Sequence, residues 1–323
     1  MQTTPTVHLV LRSYGGENVK RRPAYYSKLL ALTSFVRAAS RLPGAEVIFL
    51  NDGPVPAAHL ELMERFGRVE TIPGSPVGMR ASYWHAITLP GRHPEWPDSD
   101  ILSLNEDDYL FRPDAFVRLA AAAKDLPEAS YFSVYGTRPD YNDPAVRQVY
   151  SLPHHWRPAP DHEAAGGVWF NQPGITSTFS GRVGAFRQDR LVFRHCMYPF
   201  RKRFLDHETC LIYQGVVPYR GLDLLTGLPG DFLPGVRGVV RTAFLVPFRL
   251  ALDAHALLRH DQHHLLFCLS PNEATHMDLP MISPDHDWLE EAATVAAWAE
   301  SRGLASVAEE LSDSLAHGRG ATR

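Results

Sequence analysis

The stretch Asp100–Phe116, DILSLNEDDYLFRPDAF, decides the fold of this chain. It begins with a short apolar run of the kind that forms an interior strand of an α/β sheet. Three consecutive carboxylates follow, Glu106, Asp107 and Asp108, and then the apolar triplet YLF. Open α/β sheets bind ligands just outside the carboxyl ends of their strands. Crowded like charges repel one another, so the sequence predicts that another group offsets these three.

Strand-like and helix-like patterns alternate around this stretch, up to about residue 135. The segments VHLVLRS, AEVIFLNDG and RVETI predict strands, whereas Arg21–Leu42, AAHLELMERFG and GMRASYWHAITL predict helices. Such alternation is typical of parallel βαβ units. We therefore predict an α/β fold with a mostly parallel, Rossmann-like sheet flanked by helices. Ser13, Asp52 and the three carboxylates should meet at one edge of it, because each follows a strand.

The second half of the chain is less regular. Residues 137–167 are rich in Pro, Asp and His and predict a long loop, in which Tyr141, Tyr150, Trp156 and nearby Trp169 favour packing or stacking. ITSTFSGRVGAFRQDRLV predicts a strand and a turn, and LDHETCLIYQG predicts the start of a helix. The tail is amphipathic and helical in composition. We divide the chain into a first half at 1–136, a second half at 137–286 and a helical tail at 287–323.

Composition excludes several classes of protein. The chain has 323 residues, and its 45% apolar content is enough for a sizeable core. Its 32 basic and 36 acidic residues are interspersed and give a net charge of −4, so no overall field points to a nucleic-acid or membrane-surface partner. The cysteines Cys196, Cys210 and Cys268 are odd in number and lack C-x-x-C spacing, which argues against a disulfide framework. With no signal-peptide pattern at the N-terminus, a reduced, cytoplasmic setting is expected.

The most apolar late stretch runs from Gly235 to Leu258. Arg237, Arg241, Pro247 and Arg249 interrupt it, so the sequence does not predict a membrane-spanning helix. Two interpretations stay open. The stretch forms a core or lid helix with solvated arginines, or it forms an amphipathic helix that makes peripheral contact with a membrane or covers the acceptor site.

The carboxylate triplet has the chemistry of a metal site. In an extended segment Glu106 and Asp108 would point to one face and Asp107 to the other. Mg²⁺ and Mn²⁺ take carboxylate oxygens and often draw their remaining ligands from substrate phosphates and water. The triplet therefore suits a metal–diphosphate site. The alternative is an acidic surface turn that leads to Asp114 at the start of the next helix.

Three segments resemble, in order and spacing, the nucleotide-sugar half of metal-dependent, family 2-like glycosyltransferases of the GT-A fold. They are AEVIFLNDG, GSPVGMRASYWHAI and DSDILSLNEDDYLFRPDAFVRLAAA. The likeness covers about residues 7–135, and the EDD form is similar to that of N-acetylglucosaminyltransferase I. The resemblance implies a GT-A fold in which residues 1–136 form the nucleotide-sugar-binding half and residues 137–286 form a C-terminal acceptor-binding and catalytic half. It also implies transfer of a sugar from a nucleoside-diphosphate donor to an acceptor hydroxyl or amine, with Mn²⁺ or Mg²⁺ holding the diphosphate.

The same resemblance assigns residues to the donor site. Asp108, the last acid, would hold the metal ion, with Asp107 as the alternative ligand. His276, in LSPNEATHMD, would reach the metal or the pyrophosphate. The residues expected to bind the donor are Ser13, Asp52, Arg80, Glu106 and Asp107.

A candidate base lies in RKRFLDHETCLIYQG. Asp206 and Glu208 fall at the start of a predicted helix, where capping and the helix dipole alone would explain both acids. The resemblance implies instead that one of them deprotonates the acceptor, with Glu208 the first choice and Asp206 the second. Direct displacement with one positioned carboxylate inverts the anomeric carbon. The preceding cations Arg201, Lys202 and Arg203 would neutralise the leaving nucleoside diphosphate.

Two rival functions remain. A nucleotidyltransferase also uses acids at strand ends, and the segment RSYGGENVKRR supplies part of the glycine-rich basic loop that such an enzyme needs after its first strand. A nucleotide- or glycan-binding module without catalysis is the other. No motif identifies the acceptor, whether a glycan, a lipid-linked molecule or a small molecule.

Overall fold

The computed structural model of the protein describes residues 5–17, 20–136, 138, 152–153, 155–175, 177–198, 205–228, 235–259 and 261–320, without the side chains of 317–320. Two predicted features lie outside this described part. They are most of the long loop, with Tyr141 and Tyr150, and the cationic run Arg201, Lys202 and Arg203.

The strands form one large and one small sheet. In chain order they are β1 (Val7–Tyr14), β2 (Glu46–Asp52), β3 (Arg68–Thr71), β4 (Ile101–Glu106), β5 (Tyr109–Phe111), β6 (Ala129–Ser133), β7 (His162–Ala164), β8 (Gly167–Asn171), β9 (Phe179–Arg182), β10 (Leu265–Ser270) and β11 (Ala274–His276). The large sheet has the order β3-β2-β1-β4-β9-β6-β10-β8-β7, and β5 pairs with β11 separately. Only β8 and β9 run against the other strands of the large sheet. The predicted α/β fold with a mostly parallel sheet is confirmed.

Helices connect and cover the strands. In chain order they are α1 (Lys28–Ala39), α2 (Ala57–Phe66), α3 (Met79–Ile87), α4 (Leu89–Arg92), α5 (Ala115–Asp125), α6 (Val183–Gln188), α7 (Arg190–Phe193), α8 (Asp206–Tyr213), α9 (Asp223–Thr226), α10 (Val236–Leu258), α11 (Trp288–Ser301) and α12 (Ala305–Gly320). Two 3-10 turns occur at Arg194–Met197 and Leu279–Met281. No helix within the described ranges is both long and apolar enough to cross a bilayer.

Two apolar cores lie on opposite faces of the sheet. One contains Phe35 of α1, Phe116 of α5 and Val295 of α11. The other contains Tyr83 of α3 and, from the second half of the chain, apolar residues of α6, α8 and α10. This division follows from β1, whose alternate residues point to opposite faces, as Leu9 and Val10 do.

Several elements differ from the sequence prediction. The first helix begins only at Lys28, because the side chain of Ser27 accepts a hydrogen bond from the backbone nitrogen of Leu30 at 3.0 Å and caps it. The segment predicted as a strand and a turn contains β9 followed directly by helix α6. The predicted tail forms two helices, α11 and α12, which pack against α1. Trp156 and Trp169 are buried in the core, which confirms packing, one of the two alternatives expected for them.

Candidate functional site

A cleft of about 480 Å³ opens at the carboxyl ends of β1, β2 and β4. This is where open α/β sheets bind ligands. Its lining, in chain order, is Arg12, Tyr14, Lys20, Asp52, Gly78, Met79, Glu106, Asp107 and Asp108. The structure thus brings the carboxylate triplet and Asp52 into one cavity, together with basic side chains from β1 and the segment after it.

Glu106 is paired with a basic residue of the neighbouring strand. Arg12 of β1 lies beside Glu106 of β4 in the parallel register, and its guanidinium forms an ion pair with Glu106 Oε1. A second guanidinium nitrogen of Arg12 donates to Ser82 Oγ of α3 at 3.1 Å. Arg12 therefore joins the end of β4 to α3 and offsets the first of the three negative charges.

Asp107 has a different cation. Lys28 Nζ at the start of α1 lies 3.0 Å from Asp107 Oδ2, and the backbone nitrogen of Tyr14 donates to the same oxygen at 2.9 Å. Burial raises the pKa of Asp107, and the charge and hydrogen bond of Lys28 oppose that rise. The second carboxylate is therefore tied to the end of β1 and the start of α1.

Asp108 is held by three basic side chains. Its Oδ2 lies 2.7 Å from Lys20 Nζ, 3.1 Å from the Arg22 guanidinium and 3.2 Å from His276 Nε2. Burial alone would raise the pKa of Asp108, but hydrogen bonds and charges from His276 and Lys20 hold it well below its usual range. The third carboxylate is therefore ionised and sits among cations.

These pairings answer the question that the triplet raised. Each acid has its own cation, so the repulsion is offset by the protein itself. The described ion pairs place four basic side chains around three carboxylates, so positive charge is in excess. The four are Arg12, Lys20, Arg22 and Lys28. The expectation that two acids share one face and the third faces away is wrong, because β4 ends at Glu106 and the chain turns at 107–108.

Sequence reasoning did not foresee that Arg12, Lys20, Arg22 and Lys28 pair with the triplet. The available signal was the basic run after β1, which was weighed only as part of a rival enzyme's loop. The structure also shows why glycine opens that segment. A Cβ atom on Gly15 would lie 1.9 Å from the carbonyl oxygen of Pro54, so only glycine lets the loop after β1 approach the loop after β2 so closely.

Asp52 holds the backbone that leads into α3. Its two carboxylate oxygens accept hydrogen bonds from the backbone nitrogens of Val77 at 2.6 Å and Gly78 at 2.9 Å. The side chain is buried, although the residue lines the cleft. Asp52 therefore shapes the wall formed by Gly78 and Met79, whatever further contact it makes with a ligand.

The other expected donor residues lie beside this cleft. Ser13 lines a second cavity of about 310 Å³, which Tyr14, Lys28 and Asp107 share. Arg80 lies in the first turn of α3, directly after Met79. Ser13 therefore shares a cavity with Asp107 outside the main cleft, and Arg80 follows a residue of the cleft lining without lining the cleft itself.

His276 reaches the triplet through the small sheet. In the antiparallel pairing of β11 with β5, His276 lies opposite Tyr109, and the two rings stack 4.8 Å apart at 3°. Tyr109 directly follows Asp108 in the chain, so this pairing fixes the imidazole beside that carboxylate. A residue 168 positions away thus becomes a neighbour of Asp108.

Asp108 and His276 fit a divalent ion that arrives with a diphosphate. Asp108 Oδ1 is buried and has no hydrogen-bond partner among the described residues, a condition that a ligand normally relieves. No group of three or more metal-binding side chains occurs in the described part of the chain, so further ligands would come from substrate oxygens and water. Lys20 Nζ contacts both Asp108 and His276, and its side chain is the most exposed of the three.

The two candidate bases lie at the start of α8 in different environments. Glu208 is buried, with 1% of its surface exposed, and its Oε1 accepts a hydrogen bond from the Tyr219 hydroxyl at 2.7 Å. Asp206 is only partly buried. Burial raises the pKa of Asp206, and the negative charge of Glu208 adds to the rise. Asp206 is therefore the more accessible carboxylate of the two.

Helix α3 lies between α8 and the cleft. Ser82 of α3 accepts a hydrogen bond from Arg12, which pairs with Glu106. The 3-10 turn Arg194–Met197 packs against both α3 and α8. These contacts form a continuous packed link from the carboxylate triplet to the helix that carries the candidate bases.

Comparisons with known proteins give only distant likenesses. No protein-family model and no curated protein matches the chain. The solved structures similar to it include S. aureus TarS 1-349, at 11% identity and a TM-score of 0.38 over 90% of this chain and 64% of that one. They also include a mycobacterial protein, at 10% identity and 0.38 over 90% and 71%, and the 4-diphosphocytidyl-2C-methyl-D-erythritol synthase of Anaerococcus prevotii DSM 20548, at 11% and 0.34 over 64% and 82%. This chain spans less than two thirds of that TarS chain. At such values the likeness says nothing of activity.

Proposed function

We propose that the protein is a glycosyltransferase that takes a nucleoside-diphosphate-sugar donor and uses Mn²⁺ or Mg²⁺. The charge pattern of the cleft carries this proposal. Four basic side chains surround three carboxylates at the carboxyl ends of parallel strands. A diphosphate needs cationic donors, whereas the hydroxyls of ribose and sugar need acceptors, and this cleft offers both kinds of group.

The basic segment after β1 suits the diphosphate. Lys20 and Arg22 already hold Asp108, and they would shift to phosphate oxygens when the donor binds. Negative charge grows on the leaving nucleoside diphosphate during transfer, and cationic donors aimed at it stabilise the transition state. Glu106 and Asp107 would accept hydrogen bonds on the nucleoside side, with Asp52 holding the adjacent wall.

Asp108 and His276 would hold the metal ion, which when bound supplies positive charge to the leaving diphosphate. Asp108 is suited to this because its pKa is held low by His276 and Lys20 in spite of burial, so it is a carboxylate at neutral pH. With only these two ligands from the protein, we expect the ion to bind weakly alone and tightly with a nucleoside diphosphate.

The acceptor half would supply the base. The acceptor oxygen or nitrogen attacks the anomeric carbon, and the bond from that carbon to the diphosphate oxygen breaks. The nucleoside diphosphate leaves with the electron pair, and the acceptor proton passes to a carboxylate. One displacement inverts the anomeric centre. We place Asp206 first for this role, ahead of Glu208, because Asp206 is the more accessible and burial raises its pKa towards the range that suits a general base.

A nucleotidyltransferase is the second candidate. The observation in its favour is that the basic segment after β1 does converge on the triplet, as a loop that binds a nucleoside triphosphate would. The two reactions have different leaving groups. A glycosyltransferase releases a nucleoside diphosphate, whereas a nucleotidyltransferase releases pyrophosphate.

Two measurements on the full chain test the proposal. Thermal-shift assays with nucleoside diphosphates, nucleoside-diphosphate sugars and nucleoside triphosphates, with and without Mn²⁺, identify the ligand, because binding to the native state raises Tm. We expect a nucleoside-diphosphate sugar to stabilise the protein only with the metal, and turnover or slow hydrolysis to release nucleoside diphosphate. Release of pyrophosphate from a nucleoside triphosphate and a sugar phosphate would establish the rival, and binding without any turnover would indicate a non-catalytic module.

A further inference from the structure

The longest helix, α10, has an outward face made of apolar residues. Its exposed apolar positions recur every three or four residues, the spacing of one helical face. They are Val236, Val239, Val240, Ala243, Phe244, Pro247, Leu250, Ala251, Ala254, Leu257 and Leu258. Phe244 is 76% exposed and Leu258 86%. Among the described residues, this is an unbroken apolar stripe along the whole helix.

Exposed apolar residues of this kind are not scattered surface residues. Single exposed apolar side chains are common, whereas a contiguous stripe marks a place where something docks. Leu222 and Leu225, at and beside α9, are also exposed, and α9 packs against α10.

The charges on α10 are all basic apart from one buried acid. Arg237 is the single charged residue among the exposed positions, and Arg241 lies partly buried on the same flank. Arg249 is buried and donates to the carbonyl oxygens of Leu224 and Leu225, so it anchors α9 to the helix. The acid, Asp253, is also buried. A stripe of apolar residues with arginine on its flank is complementary to an anionic lipid surface.

The charge and length of the stripe favour a bilayer over a second copy of the chain. The helix has 23 residues and is about 35 Å long, so its whole apolar face can lie along a bilayer surface. A second copy of the same stripe would offer no exposed acid to pair with Arg237, because Asp253, the acid of α10, is buried. A bilayer needs no matching partner surface, and it accepts the apolar side chains in its acyl region and the arginines at its headgroups.

We propose that α10 docks the protein onto an anionic membrane surface, with the helix lying in the plane of the bilayer. The helix is linked to the start of α8 by two hydrogen bonds through Tyr219. Asp253 Oδ1 accepts from the backbone nitrogen of Tyr219 at 3.0 Å, and the Tyr219 hydroxyl donates to Glu208. Docking would thus hold the start of α8 near the lipid surface. The proposal depends on the α10 surface and not on the proposed chemistry.

Vesicle sedimentation of the full chain tests the docking. The probes are vesicles of phosphatidylcholine alone and of phosphatidylcholine with about 30% phosphatidylglycerol, an anionic surface. We expect binding to the anionic vesicles, loss of at least about tenfold in partition for Phe244→Asp and for Val240→Asp, and weaker wild-type binding in high salt. Val117→Asp, an exposed apolar position on α5, is the matched control and should bind as wild type.

Several results would overturn the proposal. They are absence of wild-type binding, equal binding to both kinds of vesicle, and equal binding by Phe244→Asp. A dimer in light scattering that Phe244→Asp abolishes, without vesicle binding, would assign the stripe to a second copy. Should the aspartate variants unfold on melting, Arg237→Glu replaces them, since it changes only an exposed flank charge. It should weaken anionic-vesicle binding several-fold, and unchanged binding would contradict the proposal.

Discussion

Lys20 Nζ lies 2.7 Å from Asp108 Oδ2 and 2.9 Å from His276 Nε2, so an ammonium group occupies the place between the two proposed metal ligands. A lysine and a divalent ion cannot both sit there. Lys20 would therefore hold the site until a donor diphosphate draws its side chain away. The metal ion and the donor would then bind together, and neither would bind tightly without the other.

Lys20→Met should raise the affinity of the free protein for Mn²⁺ by about tenfold, the scale of one lost charge-assisted contact. Titration followed by electron paramagnetic resonance measures free Mn²⁺ directly and requires no turnover. The same variant should bind nucleoside diphosphate more weakly. Lys28→Met is the control, because Lys28 pairs with Asp107, and its effect on Mn²⁺ affinity should be smaller. Unchanged Mn²⁺ affinity in Lys20→Met would mean that the lysine does not compete with the ion.

Asp108→Asn should abolish Mn²⁺-dependent binding of nucleoside diphosphate and also lower the free energy of unfolding by about 1–3 kcal/mol. The stability loss follows because the substitution leaves Lys20 and Arg22 beside a neutral amide. Because these cations already offset the repulsion within the triplet, removing the Asp108 charge costs their pairing and relieves little repulsion. Chemical denaturation gives the stability, and Asp114→Asn, at a more exposed ion pair with Arg41, is the control that should change it little. A more stable Asp108→Asn would show that repulsion prevails.

Asp52→Ala should reduce stability by about 1–3 kcal/mol, because the backbone nitrogens of Val77 and Gly78 lose their acceptors. Donor affinity should fall with it, since the wall of the cleft loosens. Asp52→Asn keeps one carbonyl oxygen as an acceptor, so it should lose less stability and less donor affinity than Asp52→Ala. Calorimetric titration with nucleoside diphosphate, beside thermal melting, separates the two effects. Normal stability with reduced affinity in Asp52→Ala would assign Asp52 to direct ligand contact instead.

Local patterns predicted the strands of the sheet well. β1, β2 and β4 are apolar runs bounded by turn residues or charges. Strands that are buried on both faces have such continuous apolar sequences, so a strand was the clear prediction for each. The first residue of α1 was harder to predict, because the helical pattern from Arg21 onward does not reveal that Ser27 caps the helix. A cap depends on one side-chain hydrogen bond, and several residues in that segment have a side chain that could accept it.

Contacts between distant segments could not be predicted. His276 reaches Asp108 only because β11 pairs with β5, and nothing in either short strand specifies that register. The pairing of Lys20 and Lys28 with different acids of the triplet likewise depends on where the loop after β1 folds back. The sequence signalled the charges, but the geometry that assigns each cation to its carboxylate is tertiary.

Asp253 should make stability depend on pH. Burial raises the pKa of Asp253 from 3.8 to about 6, and the hydrogen bond from the Tyr219 backbone opposes the rise. Between these values the folded protein binds more protons than the unfolded chain, so stability falls as pH rises from about 4 to about 6. Asp253→Asn keeps an acceptor for Tyr219 and should be more stable than wild type at pH 7, with the difference vanishing near pH 4. The full shift corresponds to about 3 kcal/mol, and screening by nearby solvent lowers the expected difference to about 1–2 kcal/mol. Denaturation at both pH values checks this, and a constant difference would contradict it.

The final prediction separates Asp206 from Glu208. Asp206→Asn keeps a good residue for a helix start and removes the proton acceptor, so transfer should fall by roughly 10²–10⁴ while donor affinity and Tm hardly change. Glu208→Gln still offers an oxygen to the Tyr219 hydroxyl and should retain most activity, because the buried Glu208 then serves the packing of α8. Rates with saturating donor, beside melting curves, measure both. If Glu208→Gln loses turnover and Asp206→Asn keeps it, the buried acid is the base, and local opening of α8 must expose it. If both variants stay active, the base lies outside α8, and the acceptor proton leaves by a group that neither the helix nor the resemblance identifies.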